Sequence, residues 1–452
     1  MGCCRTVAFV LTLLAAISIG YFWYKLDEIP ELTPIADKYW GKGDPKPDDS
    51  TIKPFKIKFS ETMVQDLLRR LQNTRELTPP LEGAGFQYGF NSDYLKSIIN
   101  FWKTEYNFQE RETFLNQYPQ FKTQISGLNI HFIHAKPDKS KIGKVIPLLL
   151  LHGWPGSVRE FYEMIPLLIT PRTDEKFVFE VIAPSLPGYG FSDAASKQGL
   201  DVIQMAVIMK KLMDRLGYNK FYIQGGDWGS AIGQALSVVY PENVVAYHSN
   251  MCFIRTTKVH IKMLLSYFAP WLYAEDGQNE RISQQPSFLI EESGYMHIQG
   301  SKPDTVGVAL TDSPAGLAAY ILEKFSTWTN PSWRSKPDGG LNHYNKVNLL
   351  DNIMIYWVSG SITSSMRLYS EAFNKKSMQH PVNKVPVMIP TGCARFPSEL
   401  VYIPRSILES AFPKLIRLTD MPKGGHFAAF EVPELLAEDF WQFVSTVKKE
   451  KK

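Results

Sequence analysis

Cysteine is scarce. Four cysteines in 452 residues, two of them adjacent at Cys3 and Cys4, make neither a disulfide framework nor any pair with metal-ligand spacing, so all four are read as free thiols. Asn-x-Ser/Thr acceptors with a permitted middle residue are missing, which leaves no sign of glycosylation in a secretory lumen. Excess charge is missing too. The chain sets 49 Lys and Arg against 45 Asp and Glu, and its basic residues are scattered, which argues against a nucleic-acid partner. No internal repeat or low-complexity tract interrupts the chain, and the 44% hydrophobic content is ordinary globular material with enough apolar residues for a large core.

Charge is also absent from residues 6–24, which at the helical rise span about 28 Å, close to the thickness of a bilayer core. Tyr21-Phe22-Trp23-Tyr24 before Lys25 reads as an aromatic belt at the lipid boundary. Ser18 and Gly20 also fit a cleavable signal peptide, but the long run ending in bulky rings favours an uncleaved anchor over residues 1–25. Met1-Gly2 and Thr6 match a myristoylation pattern beside Cys3 and Cys4, a lipid that a spanning helix would make redundant. Arg5 and Lys25 nearly cancel and leave orientation open.

Residues 26–52, rich in Pro, Gly, Asp and Lys, read as a linker or surface-hugging extension in which no core is expected. A leading segment, 53–140, follows: Ser60 caps a helix with Val64, Leu67, Leu68 and Leu71 on one face, and Ser126-Gly127 separates two short strands. From Val145 the pattern changes to strands 145–151, 177–184 and 221–224 alternating with helices over 201–216 and from near Ser230. This is the signature of a parallel sheet covered on both faces. Alternation is lost over 252–369, where aromatic residues crowd, and returns with strand 385–391, strand 415–419 and helix 433–447. The core is thus expected in two halves, 141–251 and 370–452, with a mainly helical lid between them.

The strongest local signal is Gly225-Gly226-Asp227-Trp228-Gly229-Ser230 between a strand and a helix, the layout of a nucleophile elbow. Its central residue is Asp where an acyl-transfer enzyme has Ser. A carboxylate, ionised near neutral pH, attacks saturated carbon and leaves an alkyl ester on the enzyme, which points to epoxides or alkyl halides. Seen alone, the hexapeptide could equally be a Gly-rich turn whose Asp caps the helix.

The surroundings decide between the two. His152-Gly153-Trp154-Pro155-Gly156 directly follows the strand ending at Leu151, where this architecture supplies an oxyanion donor: the Trp154 N–H, with the Trp228 N–H as the second. His152 itself is read as structural. A base is needed after the last strand, and Gly424-Gly425-His426-Phe427 fills that place. Glu399, in the loop after strand 385–391, is the best-placed carboxylate to orient His426; Asp420 competes but has less room to fold back. Opening an epoxide also needs a proton donor, and Tyr273, Tyr295, Tyr320, Tyr344, Tyr356 and Tyr369 are all candidates that spacing cannot separate.

With these residues in view, the chain resembles the microsomal epoxide hydrolase family, including insect juvenile hormone epoxide hydrolases. The likeness runs from the anchor to the C-terminal helix. Beyond the two loops and the elbow it is carried by Pro79-Pro80-Leu81-Glu82, Tyr88-Gly89-Phe90-Asn91-Ser92, Pro187-Gly188-Tyr189-Gly190-Phe191-Ser192, Glu292-Ser293-Gly294-Tyr295-Met296-His297, Lys324-Phe325-Ser326-Thr327-Trp328-Thr329 and the stretch from Gly424 to Glu431. The resemblance implies an α/β-hydrolase fold with Asp227 as nucleophile, Glu399 and His426 as the charge-orienting pair, and Tyr295 and Tyr369 as donors to the epoxide oxygen. It implies no metal and no organic cofactor. It also implies that residues 53–140 wrap core and lid, and that the enzyme sits on the endoplasmic reticulum membrane with its site facing the cytosol. An anchored enzyme with an aromatic lid should take lipophilic epoxides, juvenile hormone among them, and release vicinal diols. The rival readings are an Asp-nucleophile dehalogenase of the same fold and a silent hydrolase-fold receptor that binds an isoprenoid.

Overall fold

Continuous apolar runs of five to eight residues become strands buried on both faces, and the chain spends its Val, Ile, Leu and Phe in this way. The computed structural model describes residues 2–138, 143–253 and 255–450, and within the first helix the side chains of residues 7–14 and 16–26. The myristoylation pattern from Met1 to Thr6, the thiols of Cys3 and Cys4, and the expected boundary at 140 and 141 lie outside the described residues. Nine strands are present among those residues: β1 Lys53–Phe55, β2 Gln120–Ile125, β3 Leu128–Ala135, β4 Lys144–Leu151, β5 Phe177–Pro184, β6 Phe221–Gly225, β7 Val244–Ser249, β8 Thr391–Arg395 and β9 Leu415–Asp420. They form one sheet in the order β1-β2-β3-β5-β4-β6-β7-β8-β9. The β1–β2, β2–β3 and β3–β5 pairs are antiparallel and the rest parallel, so the leading segment extends the core sheet at one edge.

Helices cover both faces. Asp201 caps the helix Val202–Arg215 through the Ile203 and Gln204 amides, and ten of that helix's residues are buried. On the opposite face, the helix Pro433–Glu450 buries Phe440, Trp441, Phe443 and Val444, with Trp441 against Phe177 and Phe440 against Phe179 of β5. Ser60 caps the helix Glu61–Gln72 as expected, through the Met63 amide. Between β7 and β8 the chain is mainly helical from Thr257–Phe268 to Lys375–Met378, the helix Ile362–Phe373 running four residues past the expected lid end at 369.

Three expectations are corrected. Strand 385–391 begins only at Thr391, because Pro386 and Pro390 lack the N–H that a ladder requires. The 26–52 stretch is not without a core contact: Trp40 is 2% exposed and belongs to the main cluster, its amide donating to Ser126 O, while Asp48 accepts from the Ser126 and Gly127 amides. Cys252 and Cys393 are not free thiols but a disulfide, with Cα atoms 6.0 Å apart. Sequence spacing misses this pair because 141 residues separate it. The β7–β8 register, which sets Ser249 opposite Cys393, brings the two ends together.

The first helix, Gly2–Leu26, carries one stretch, Val7–Leu26, long and apolar enough to cross a membrane; it is unburied by the rest of the chain. Its 20 residues span about 30 Å.

Candidate active site

Parallel strands present their carboxyl ends on one side of the sheet, and four adjacent or near-adjacent ends supply the site: β4, β6, β8 and β9. At the end of β6 the chain turns so sharply that Asp227 has φ 48°, one of two positive-φ non-glycine residues described. Such a backbone costs about 1–3 kcal/mol and persists only where neighbours enforce it. Here the helix Asp227–Val239 starts against β4 so closely that a Cβ on Gly229 would lie 2.0 Å from Leu151 O. The helix was expected from near Ser230; it begins at the aspartate itself.

The Asp227 carboxyl is held between two loops. Trp154 N–H donates to Oδ1 at 2.8 Å, and a Cβ on Gly153 would come 2.1 Å from the same oxygen, so glycine is needed for that approach. Oδ2 faces His426 Nε2 at 3.3 Å, and His426 Nδ1 stands 2.7 Å from Glu399 Oε1. The Trp228 N–H lies in the first turn of its helix, where amides have no intrahelical acceptor. The site therefore pins one carboxyl oxygen and leaves the other facing the imidazole.

Burial opposes a charge on His426, but the Glu399 and Asp227 carboxylates on either side outweigh it and raise the imidazole to about 10. The Glu399 loop pairs with the histidine loop through a Ser398–Gly425 bridge, and the His426 amide donates to Trp328 O. Asp420, the competing carboxylate, instead makes a two-pronged pair with Arg395 at 2.7 and 2.8 Å.

The lid contributes the tyrosines. Tyr295 stacks on Trp154 at 5.4 Å and 7°, and Tyr369 sets its edge against Trp228 at 4.8 Å and against Tyr295 at 5.9 Å. Burial, then the Asp227 charge, raises the Tyr295 phenol well above its ordinary value. Burial, Tyr295 and Asp227 do the same for Tyr369. Both hydroxyls therefore keep their protons and can donate. Other candidates are occupied elsewhere: Tyr356 donates to Gly156 O, Tyr344 pairs with Thr329, and Tyr320 accepts from Gln299. Tyr273 is half-buried among lid residues. His152 is neutral, pushed down to about 4 by burial, and its Nε2 accepts from the Leu186 amide, as a structural residue would.

Sequence reasoning missed the supports. Asn352 donates to Pro155 O and accepts from Ser157, while fully buried Asp351 holds Arg111, Arg159 and Tyr106, joining leading segment, oxyanion loop and lid. An Asp-Asn pair inside the apolar run Leu349-Leu350-Asp351-Asn352-Ile353 was the available signal, since buried charge needs partners. Glu160 was missed as well. It lines a cavity of about 10 Å³ with Asp227 and His426, and burial pushes its carboxyl up to about 8.

Comparison with known proteins gives the family. A family model described as epoxide hydrolase N terminus matches residues 52–161, and one described as alpha/beta hydrolase fold matches 146–389. Juvenile hormone epoxide hydrolase 1 of Ctenocephalides felis is 51% identical over 99% of this chain and 96% of its own length. Epoxide hydrolase 1 of Oryctolagus cuniculus is 46% identical over 98% and 100%. The crystal structure of juvenile hormone epoxide hydrolase from the silkworm Bombyx mori superposes with a TM-score of 0.89 at 49% identity, covering 92% of this chain and 99% of the other. Neither the dehalogenase nor the receptor reading gains support from these likenesses. On fold, sequence and site together, the chain belongs to the epoxide hydrolase family of the α/β-hydrolase fold and is an epoxide hydrolase.

Proposed function

We propose that the enzyme converts lipophilic epoxides to vicinal diols in two steps, with Asp227 as nucleophile. Oδ2 attacks an oxirane carbon, the carbon–oxygen ring bond breaks, and the resulting alkoxide, hydrogen-bonded by Tyr295 and Tyr369, takes one proton from that pair; the phenol is reprotonated at the expense of the His426 imidazolium, which becomes neutral. Water then adds to Asp227 Cγ, giving its proton to His426 Nε2. The Trp154 and Trp228 amides hold the oxyanion at Oδ1, the imidazolium returns its proton to Oδ2 as the Cγ–Oδ2 bond breaks and the diol leaves, and the proton remaining on the new Asp227 carboxyl passes to His426. Glu399 orients the imidazole and stabilises its charged form. The observation that carries this reading is the division of labour at one carboxyl group, with Oδ1 held by Trp154 N–H at 2.8 Å and Oδ2 facing His426 Nε2 at 3.3 Å.

For the natural substrate we take a juvenile hormone as first candidate, since relatives of that name from two insects are 51% and 48% identical over nearly the whole chain. An apolar epoxide also suits a site walled by Trp154, Trp228, Tyr295 and Tyr369. Val7–Leu26 anchors the enzyme in the endoplasmic reticulum membrane, with the catalytic part on the cytosolic side.

The test is His426→Gln mixed with juvenile hormone and followed by intact mass and peptide mapping. A gain of one substrate mass on the peptide holding Asp227 is expected. An active wild-type protein whose variant gains no mass would overturn the covalent route.

A further inference from the structure

The oxyanion-loop turn carries an acid that the reaction scheme above does not use. Glu160 lies in the short helix Val158–Phe161 after the Trp154 loop, and it faces the same small cavity as Gly153, Asp227, Asn250 and His426. That cavity measures about 10 Å³, the room one water needs when two to four polar groups surround it. Gly156 makes way for the acid: a Cβ there would fall 1.4 Å from Glu160 Oε1. Among the described residues the Ser157 amide is the one hydrogen-bond partner of the Glu160 carboxyl, and no side chain hydrogen-bonds it. An acid is thus turned inward, without a side-chain partner, toward a water-sized space beside the reactive carbon and the base.

We infer that this cavity is the binding site of the hydrolytic water, and that Glu160 is the residue that holds the water for attack on the Asp227 ester. The water donates one proton toward His426 Nε2 and the other to the Glu160 carbonyl oxygen, leaving a lone pair aimed at Cγ. As its oxygen bonds to Cγ, the first proton passes to His426, the Cγ–Oδ2 bond breaks, and the diol oxygen leaves with a proton returned by the imidazolium; the second proton stays on the regenerated Asp227 carboxyl and then passes to His426, restoring the resting ion pair. Glu160 exchanges no proton in this sequence. Burial pushes its carboxyl up to about 8 in the resting enzyme, with the His426 charge opposing the effect and the Asp227 charge adding to it, so it stands neutral at pH 7 and adds no third negative charge to the resting site. An amide of the same shape offers the same acceptor.

The inference rests on the Asp227 ester reading, and the experiment separates the two. Wild type, Glu160→Gln, Glu160→Ala, Gly156→Ala and His426→Gln are mixed with juvenile hormone, with styrene oxide as a second epoxide. Stopped-flow tryptophan fluorescence follows alkylation, and quenched intact mass measures the ester. Glu160→Ala should alkylate at the wild-type rate but hydrolyse the ester roughly tenfold more slowly or worse, the worth of one hydrogen bond, so that alkyl-enzyme accumulates. Glu160→Gln should restore hydrolysis. Gly156→Ala, which keeps the acid but displaces it, should reproduce the hydrolysis defect, and it keeps the inference testable if Glu160→Ala does not fold. Wild-type ester hydrolysis in folded Glu160→Ala or Gly156→Ala, or a defect in alkylation instead, would overturn the water site while leaving the adduct in His426→Gln intact. No adduct in any variant, His426→Gln included, would overturn both readings.

Discussion

In the resting enzyme His426 sits between two carboxylates, and under the proposed mechanism ester formation would remove the charge of one of them. Two unit charges 3.3 Å apart at an effective dielectric of about 20 attract by about 5 kcal/mol, which is worth three to four pH units. An imidazole at about 10 with both carboxylates present would thus fall to between about 6 and 7 once Asp227 is esterified. The nucleophilic step would in this way turn His426 from an imidazolium into a base suited to neutral pH. Asp227→Asn mimics the neutral ester, and peptide mass shows whether the amide survives. Histidine-labelled NMR should find wild-type His426 charged up to about pH 10 and the variant titrating near neutrality. A wild-type His426 that titrates at its ordinary value, or one unmoved by the substitution, would refute the reasoning. The same raised value fixes the sign of the stability effect. Stabilisation from the charged pair is full below the unfolded-state value of about 6.5 and is lost as pH rises through about 10.

Tyr295→Phe and Tyr369→Phe keep their ring contacts with Trp154 and Trp228, so thermal stability should hold while single-turnover alkylation falls about 10²–10³-fold each. Unchanged alkylation in either would remove that hydroxyl from the mechanism. Opening the Cys252–Cys393 bond by Cys393→Ser should destabilise the fold by about 3–5 kcal/mol, given the 141-residue separation, and a lower urea midpoint would show it. Removal of residues 1–26 should release the enzyme from membranes in alkaline carbonate, and a full-length protein that is itself released would argue against a spanning anchor.

Local chemistry was legible where a short segment carries its own instructions. Strand 177–184, the Asp201 and Ser60 caps, the elbow glycines and the Trp154 loop are written in neighbouring residues, because turn geometry and side-chain period act over a few positions. The expectation of a late histidine was equally readable, and the fold sets His426 beside Asp227.

Partnerships between distant segments were decided only by the folded sheet. Both Glu399 and Asp420 follow strands near His426. Bridge pairing of the 398 and 425 loops delivers the first to the imidazole, while Arg395 takes the second. Of six lid tyrosines, lid packing alone brings Tyr295 and Tyr369 over the elbow and spends Tyr344 and Tyr356 on hydrogen bonds. The Cys252–Cys393 bond, the burial of Trp40 and the inward turn of Glu160 depend in the same way on register and close approach, which no local pattern encodes. Sequence by itself determined the fold class and the kinds of group the chemistry needs; tertiary structure decided which copies of those groups meet, since contact is set by strand order and packing across more than a hundred residues of chain.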